Sequence, residues 1–366
     1  MMESQYVMMK RTEQLFIMET DFEQREGNRM NVTKDTTLRE LNEAPELAVC
    51  RDALISGGNY FYGETADLSL QSLQDRFGTW NAADMVYGVT RLLQVLRSGE
   101  PTVSSVYSGA EIAEEPRKAQ AKLFFLPAPE PVRKKGNPFV LLTSGGAYGA
   151  VCTLSESLPV AAKLNELGYD CFCLNYRTAV PEDIEHGLFP KPLDDLAAAC
   201  AYIKTHETDF GVDAGCYIAG GFSAGGHLAA MWGTEHLGAR HYGLPQPKAL
   251  LLDYPLISMD TMPDSPVKTF MLNMMFGEPH DRAAEEDYQI HAHIDRSYPP
   301  VFHVQAKDDT TVLPINASLM KAALEQMDIP YRLELLEEGG HGFGLGSGTK
   351  AAGWVERAMD FIKGIL

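Results

Sequence analysis

No apolar run in the 366 residues approaches the ~18 that a membrane-spanning helix needs, so no such helix is expected. Positive charge is scarce: 31 Lys and Arg against 50 Asp and Glu leave a net charge of −19. Phosphate backbones and anionic headgroups repel such a chain, so nucleic acid and membrane surfaces are not expected partners. The six cysteines, Cys50, Cys152, Cys171, Cys173, Cys200 and Cys216, form no CxxC pair and no disulfide-rich pattern. Cys171 and Cys173 stand two apart in a strand-like run and share a face, as core thiols do. A reduced, cytoplasmic setting is expected. The opening stretch MMESQYVMMKRTEQLF has no apolar core of the kind a secretory leader carries. His291 and His293 lack a clustered third ligand, so neither a metal nor another cofactor is expected.

What is present is a change of period along the chain. Residues 1–34 are polar and aperiodic and read as a flexible tail, with Met30 an alternative start. Thr37 and Glu40 have capping-box spacing, and from Asn81 the apolar positions Met85, Val86, Val89, Leu92, Leu93 and Leu96 recur at helical spacing. Residues 35–100 therefore read as a small helical module that packs on the rest of the chain. From 101 strands take over. TVSSVYS and AKLFFLPA come first. PFVLLT, DCFCLNY, CYIAGGF, ALLLDYP, PVFHVQA and YRLELLE then alternate with helical stretches. That order predicts an α/β fold over 101–366, a mostly parallel central sheet with helices on both faces.

Gly221-Phe222-Ser223-Ala224-Gly225 matches G-x-S-x-G, between an apolar strand and a helix. A strand turning at once into a helix strains the middle residue and leaves no room for side chains two positions away, hence the glycines. The serine hydroxyl then projects at the carboxyl edge of the sheet, a nucleophile that needs a base. His341, in EEGGHGFGLG beyond the last strand, suits the chain order Ser, acid, His. For the acid, Asp309 is preferred over Asp308, both after PVFHVQA, with Asp253 after ALLLD the third choice. His227, four residues past the serine, suits local packing rather than base chemistry. The run Ser144–Tyr148 comes after PFVLLT, and the N–H groups of Gly146 and Ala147 together with that of Ala224 are candidates for an oxyanion hole.

These residues resemble an α/β-hydrolase of the acetyl-esterase and acetylxylan-esterase-like branch, related to prolyl-oligopeptidase-type serine hydrolases. The likeness is carried by LLTSGGAYGAV, KPLDDLAAACAYIKTHETDFGVD, GGFSAGGHLAA and EEGGHGFGLG, across about residues 138–346. It implies Ser223 as nucleophile, His341 as base and Asp309 as acid. The family's oxyanion loop often reads P-G-G-G-Y; here Ser144 replaces the proline and Ala147 the third glycine. The 35–100 module falls outside the matching region.

Residues 256–298 make a long connection rich in methionine. They read either as a cap over the pocket or as filler for core gaps. Met271, Met275 and Tyr148 are the candidate substrate contacts. The expected function is a serine esterase removing short acyl groups, acetyl from carbohydrate by resemblance, with a small-molecule ester as partner and no cofactor. A peptidase or amidase using the same three residues, and a non-catalytic binding protein on the same fold, are the alternatives. Homo-oligomerisation is left open.

Overall fold

The computed structural model of the chain describes residues 29–57, 64–99 and 102–366. Among them is an eight-stranded sheet in the order β1-β2-β4-β3-β5-β6-β7-β8. The strands are β1 Val103–Ser105, β2 Lys122–Leu126, β3 Phe139–Thr143, β4 Cys171–Asn175, β5 Tyr217–Phe222, β6 Ala249–Asp253, β7 Val301–Ala306 and β8 Tyr331–Leu336. β4, β3, β5, β6, β7 and β8 run parallel, and β2 joins antiparallel to β4. A parallel sheet covered on both faces needs strands apolar at every position. β3, β4, β5, β6 and β7 are buried at every position.

Alternation along each strand divides the core in two. Phe139 and Leu141 of β3 face one core, with helix Lys191–Thr205 and the elbow helix Ser223–Trp232. Val140 and Leu142 face the other, with helices Ser157–Glu166 and Trp354–Lys363. The chain leaves β3 toward β4 and later returns to place β5 on β3's other side. Such a reversal opens a crevice at the carboxyl ends of the two strands, where ligands bind in open α/β sheets.

The helices before β1 do not build a core of their own. Leu41, Leu47, Leu70, Leu73, Met85, Val89 and Leu92 are buried in the same cluster as Leu142, Leu158 and Trp354. Burying such a side chain contributes about 1.5–3 kcal/mol each, so this layer is held to the sheet by apolar contact. Helix Leu38–Glu43 starts at the Thr37–Glu40 capping box, and helix Ala82–Ser98 starts where Asn81 Oδ1 accepts from the N–H groups of Ala83 and Asp84. The latter helix passes Ser157–Glu166 so closely that a Cβ on Gly88 would sit 2.8 Å from the nitrogen of Pro159.

One boundary differs from the sequence reading. The tail expected over 1–34 lies outside the described residues as far as 28, but 29–34 are anchored. Met30 N–H donates to Glu46 (2.7 Å), its carbonyl accepts from Arg97 (2.8 Å), and Val32 is buried. Those contacts come from distant helices and leave no local periodicity to read.

Candidate active site

Ser223 is the first residue of the elbow helix and has φ +51°, the left-handed region that a side chain adopts only under constraint. The constraint is the close passage of backbone around it. A Cβ on Gly221 would lie 2.2 Å from the carbonyl oxygen of Gly225, and one on Gly225 would lie 2.1 Å from that of Thr143. Both flanking glycines are therefore steric necessities of the turn.

Above β5 three side chains meet. His341 Nε2 lies 2.8 Å from Ser223 Oγ, and His341 Nδ1 lies 2.7 Å from Asp309 Oδ2. Asp309 is held from behind, because its Oδ1 accepts from the N–H groups of Thr311 and Val312, both at 2.9 Å. Its side chain is fully shielded from solvent. The other two aspartates stand elsewhere. Asp308 turns outward, and its Oδ1 accepts from Gly339 (2.9 Å) and Gly340 (2.8 Å), pinning the start of the histidine loop. Asp253 is fully buried with no hydrogen-bond partner for either oxygen among the described residues. Burial, with Glu156 and Asp309 nearby, holds its carboxyl well above the usual carboxylate range.

The loop after β3 brings Gly145 against the serine: a Cβ there would lie 2.8 Å from Ser223 Cβ. Ala147 and Tyr148 both have positive φ, +52° and +58°, so Ala147 adopts the backbone a glycine would take. Among the described residues the N–H groups of Gly146, Ala147 and Ala224 have no protein acceptor. Gly146 and Ala224 are buried and Ala147 is half-buried; buried amides without a partner are rare, and all three residues line one cleft with Ser223.

Glu156 and Tyr254 escaped the sequence reading. Glu156 Oε2 accepts from Gly145 N–H (2.5 Å), and its Oε1 accepts from the Tyr254 hydroxyl (3.0 Å). That hydroxyl in turn accepts from Gly344 N–H (3.1 Å), and the Tyr254 ring packs 4.8 Å from the His341 ring. One buried carboxyl thus ties the loop after β3 to the histidine loop. Burial pushes Glu156 up to about 7, against the pull of the Gly145 and Tyr254 donors. Neither residue sits in a motif, so nothing local marks them.

A cleft of about 480 Å³ opens over the serine. Tyr148, Met262, Met271 and Met275 line it; Met259 and Met274 are buried in the core, and Met275 is buried in that core as well as bordering the cleft. The methionines of 256–298 therefore divide between the two expected roles. Tyr148 offers its ring only: its hydroxyl lies 2.7 Å from His227 Nδ1, and His227 Nε2 lies 2.9 Å from the carbonyl of Tyr288. Nε2 must donate to that carbonyl, so Nδ1 accepts from Tyr148. Burial pushes His227 down to about 4, which keeps it neutral and leaves it a packing residue.

His291 and His293 do not come together as a ligand pair. His293 instead meets His236 and Asp287, with candidate ligand atoms within 4.8 Å of one another. The two imidazoles stack at 4.2 Å with planes 8° apart. Lone pairs lie in the ring planes, so parallel rings do not aim them at a common point, and the cluster is a stacked pair beside a carboxylate.

Residues 126–324 match the family model BD-FAE. Endo-1,4-beta-xylanase B of Butyrivibrio fibrisolvens is 25% identical over 224 residues, 59% of this chain and 34% of that protein. The acetylxylan esterase of Xylanibacter ruminicola is 27% identical over 210 residues, 56% of this chain and 41% of that protein. The chain thus spans between about a third and two fifths of the length of these relatives. Among solved structures, an acetyl ester-xyloside bifunctional hydrolase from Caldicellulosiruptor lactoaceticus superposes with TM-score 0.61 at 23% identity, covering 73% of this chain and 97% of that one. The carboxylesterase Cest-2923 from Lactobacillus plantarum WCFS1 does so with TM-score 0.54 at 22% identity, covering 67% and 93%. These likenesses establish the fold.

Proposed function

We propose a function from one premise: the chain belongs to the BD-FAE family, whose model covers more than half of it, and it is an esterase-like α/β hydrolase. On that premise it is a serine esterase acting on short acyl esters, acetyl groups on carbohydrate foremost. The observation that carries this reading is the hydrogen-bonded relay from Asp309 through His341 to Ser223, at 2.7 and 2.8 Å. The acetyl and carbohydrate parts draw support from relatives whose names include acetylxylan esterase and xylanase.

In this mechanism Asp309 accepts a hydrogen bond from the Nδ1–H of His341, leaving the Nε2 lone pair directed at Ser223. As Ser223 Oγ attacks the ester carbonyl, Nε2 takes its proton. The developing oxyanion is received by the N–H groups of Gly146, Ala147 and Ala224, which have no other acceptor among the described residues. Collapse of the tetrahedral intermediate expels the alkoxide, which His341 protonates, and leaves an acyl-serine. Water, deprotonated by His341, then attacks the acyl carbonyl and restores the serine. The reacting groups are all side chains or amides of this chain, so the mechanism calls for no cofactor.

Amide hydrolysis finds less support, since an exopeptidase needs a carboxylate to hold the substrate amine. Glu156, which borders the cleft, is committed to Gly145 and Tyr254. A cytoplasmic setting is part of the proposal, and it is supported by six unpaired cysteines, five of them buried. Hydrolysis of 4-nitrophenyl acetate and of acetylated xylo-oligosaccharides tests the reading. Ser223→Ala is expected to lower kcat about 10⁵-fold or more while leaving the thermal midpoint near that of the parent. Substantial turnover by that variant refutes the nucleophile assignment.

A further inference from the structure

The helical layer before β1 contributes no member of the relay, yet it touches both loops that the mechanism uses. The histidine loop carries Gly339, Gly340, Gly342, Gly344 and Gly346, four of them at positive φ, so its own backbone does little to hold the imidazole. External contacts hold it instead. The Thr79 hydroxyl donates to the backbone carbonyl of His341 itself, across 262 positions of sequence. Asn81 Nδ2 donates to the Ser347 carbonyl (3.0 Å), and Asp84 Oδ2 accepts from Ser347 N–H (3.2 Å). The fit is close: a Cβ on Gly340 would lie 2.9 Å from Thr79 Cγ2. Ser56 and Val151 exchange both backbone hydrogen bonds, at 3.1 and 2.8 Å, directly after the loop of Gly146 and Ala147. Phe77, Thr79 and Trp80 also line the cleft.

We propose that this layer is a working part of the active site and that Thr79 is a positioning residue for His341. The inference rests on the reading of His341 as the base. The ring is steered by Asp309 at one nitrogen, but a ring can follow its backbone away from Ser223 when glycines flank it. Asp308 holds the loop at Gly339 and Gly340 and Tyr254 holds it at Gly344, and the Thr79 bond adds a hold between them at the histidine's own carbonyl. Its loss lowers the fraction of molecules with Nε2 in reach of Oγ, which slows the chemical step, and a replacement of the same shape keeps the cleft wall that Thr79 helps to form.

Thr79→Val keeps the shape and removes the hydroxyl; Thr79→Ser keeps the hydroxyl. Each full-length variant is measured by kcat and KM on 4-nitrophenyl acetate, by the rate of fluorophosphonate labelling of Ser223, and by thermal midpoint. For Thr79→Val, kcat and labelling rate are expected to fall about 3- to 10-fold with KM changed less than about twofold. Thr79→Ser is expected to restore both. If Thr79→Val does not fold, Thr79→Ala is read in its place. Parental kcat and labelling in the variant without the hydroxyl overturn the inference, as does an equal loss in Thr79→Ser. His341→Ala separates this from failure of the underlying reading. Labelling at the parental rate in that variant removes the base assignment and the positioning role with it, whereas abolished labelling leaves Thr79 to be judged on its own variants.

Discussion

Replacing Asp309 with asparagine changes one atom of the relay and leaves its shape intact. The outcome depends on which way the amide faces. Two backbone N–H groups, from Thr311 and Val312, point at the Oδ1 position from 2.9 Å. Placing the amide NH₂ there would set donors against donors in a site shielded from water, at a cost of about 1–3 kcal/mol for each buried group left unpaired. The amide oxygen therefore takes that position and the NH₂ faces His341 Nδ1, 2.7 Å away in the parent. A donor there forces Nδ1 to accept and moves the imidazole proton to Nε2. The nitrogen facing Ser223 then has no lone pair to receive the serine proton. The expected loss in kcat is about 10³- to 10⁴-fold, or ~4–5.5 kcal/mol of transition-state stabilisation, with KM little changed. Steady-state hydrolysis of 4-nitrophenyl acetate reads kcat and KM, and a thermal melt establishes that the fold persists. The control is Asp253→Asn: that carboxyl bonds to no member of the relay and has no hydrogen-bond partner among the described residues, so kcat should stay within about threefold of the parent. Retention of most activity by Asp309→Asn, with loss in Asp253→Asn, would refute the tautomer argument and the choice of acid together.

Two further outcomes concern stability. Gly88→Ala should gain about 0.5–1 kcal/mol from helix propensity, but the new methyl would lie 2.8 Å from Pro159 N and 3.0 Å from the Leu158 carbonyl carbon. Overpacking costs about 1–3 kcal/mol, so denaturant unfolding should show a net loss; a more stable variant would mean the two helices are not in such close contact. Glu156 is held at about 7 when folded, above its ordinary value, so the folded chain binds the extra proton between the two values. It therefore favours folding at the acid end of that window, and its contribution is lost as pH rises through 7. Glu156→Gln should then be more favourable relative to the parent at pH 8 than at pH 5, by about 2.5 kcal/mol, in paired melts at the two values. A pH-independent difference would show that Glu156 titrates normally.

The parts of this protein legible in its sequence are those written locally. Five apolar stretches stand at the positions of β3, β4, β5, β6 and β7, since a strand buried on both faces must be apolar throughout. The elbow is legible because glycines at 221 and 225 bracket the serine within five residues, although the backbone that crowds Gly225 is that of Thr143. His341 stands out because one histidine comes after the last strand. What no local pattern contains is the meeting of distant atoms. Asp308 and Asp309 are adjacent and chemically identical, and only the fold turns one toward glycine amides and the other toward the imidazole. Glu156 and Tyr254 look like ordinary loop residues until burial brings them to Gly145 and Gly344. Thr79 precedes a helix by three positions and carries no motif, yet it reaches the backbone of a residue 262 positions away. The physical reason is the same in each case: hydrogen bonds act over about 3 Å, and which groups come within that distance is decided by packing of the whole chain.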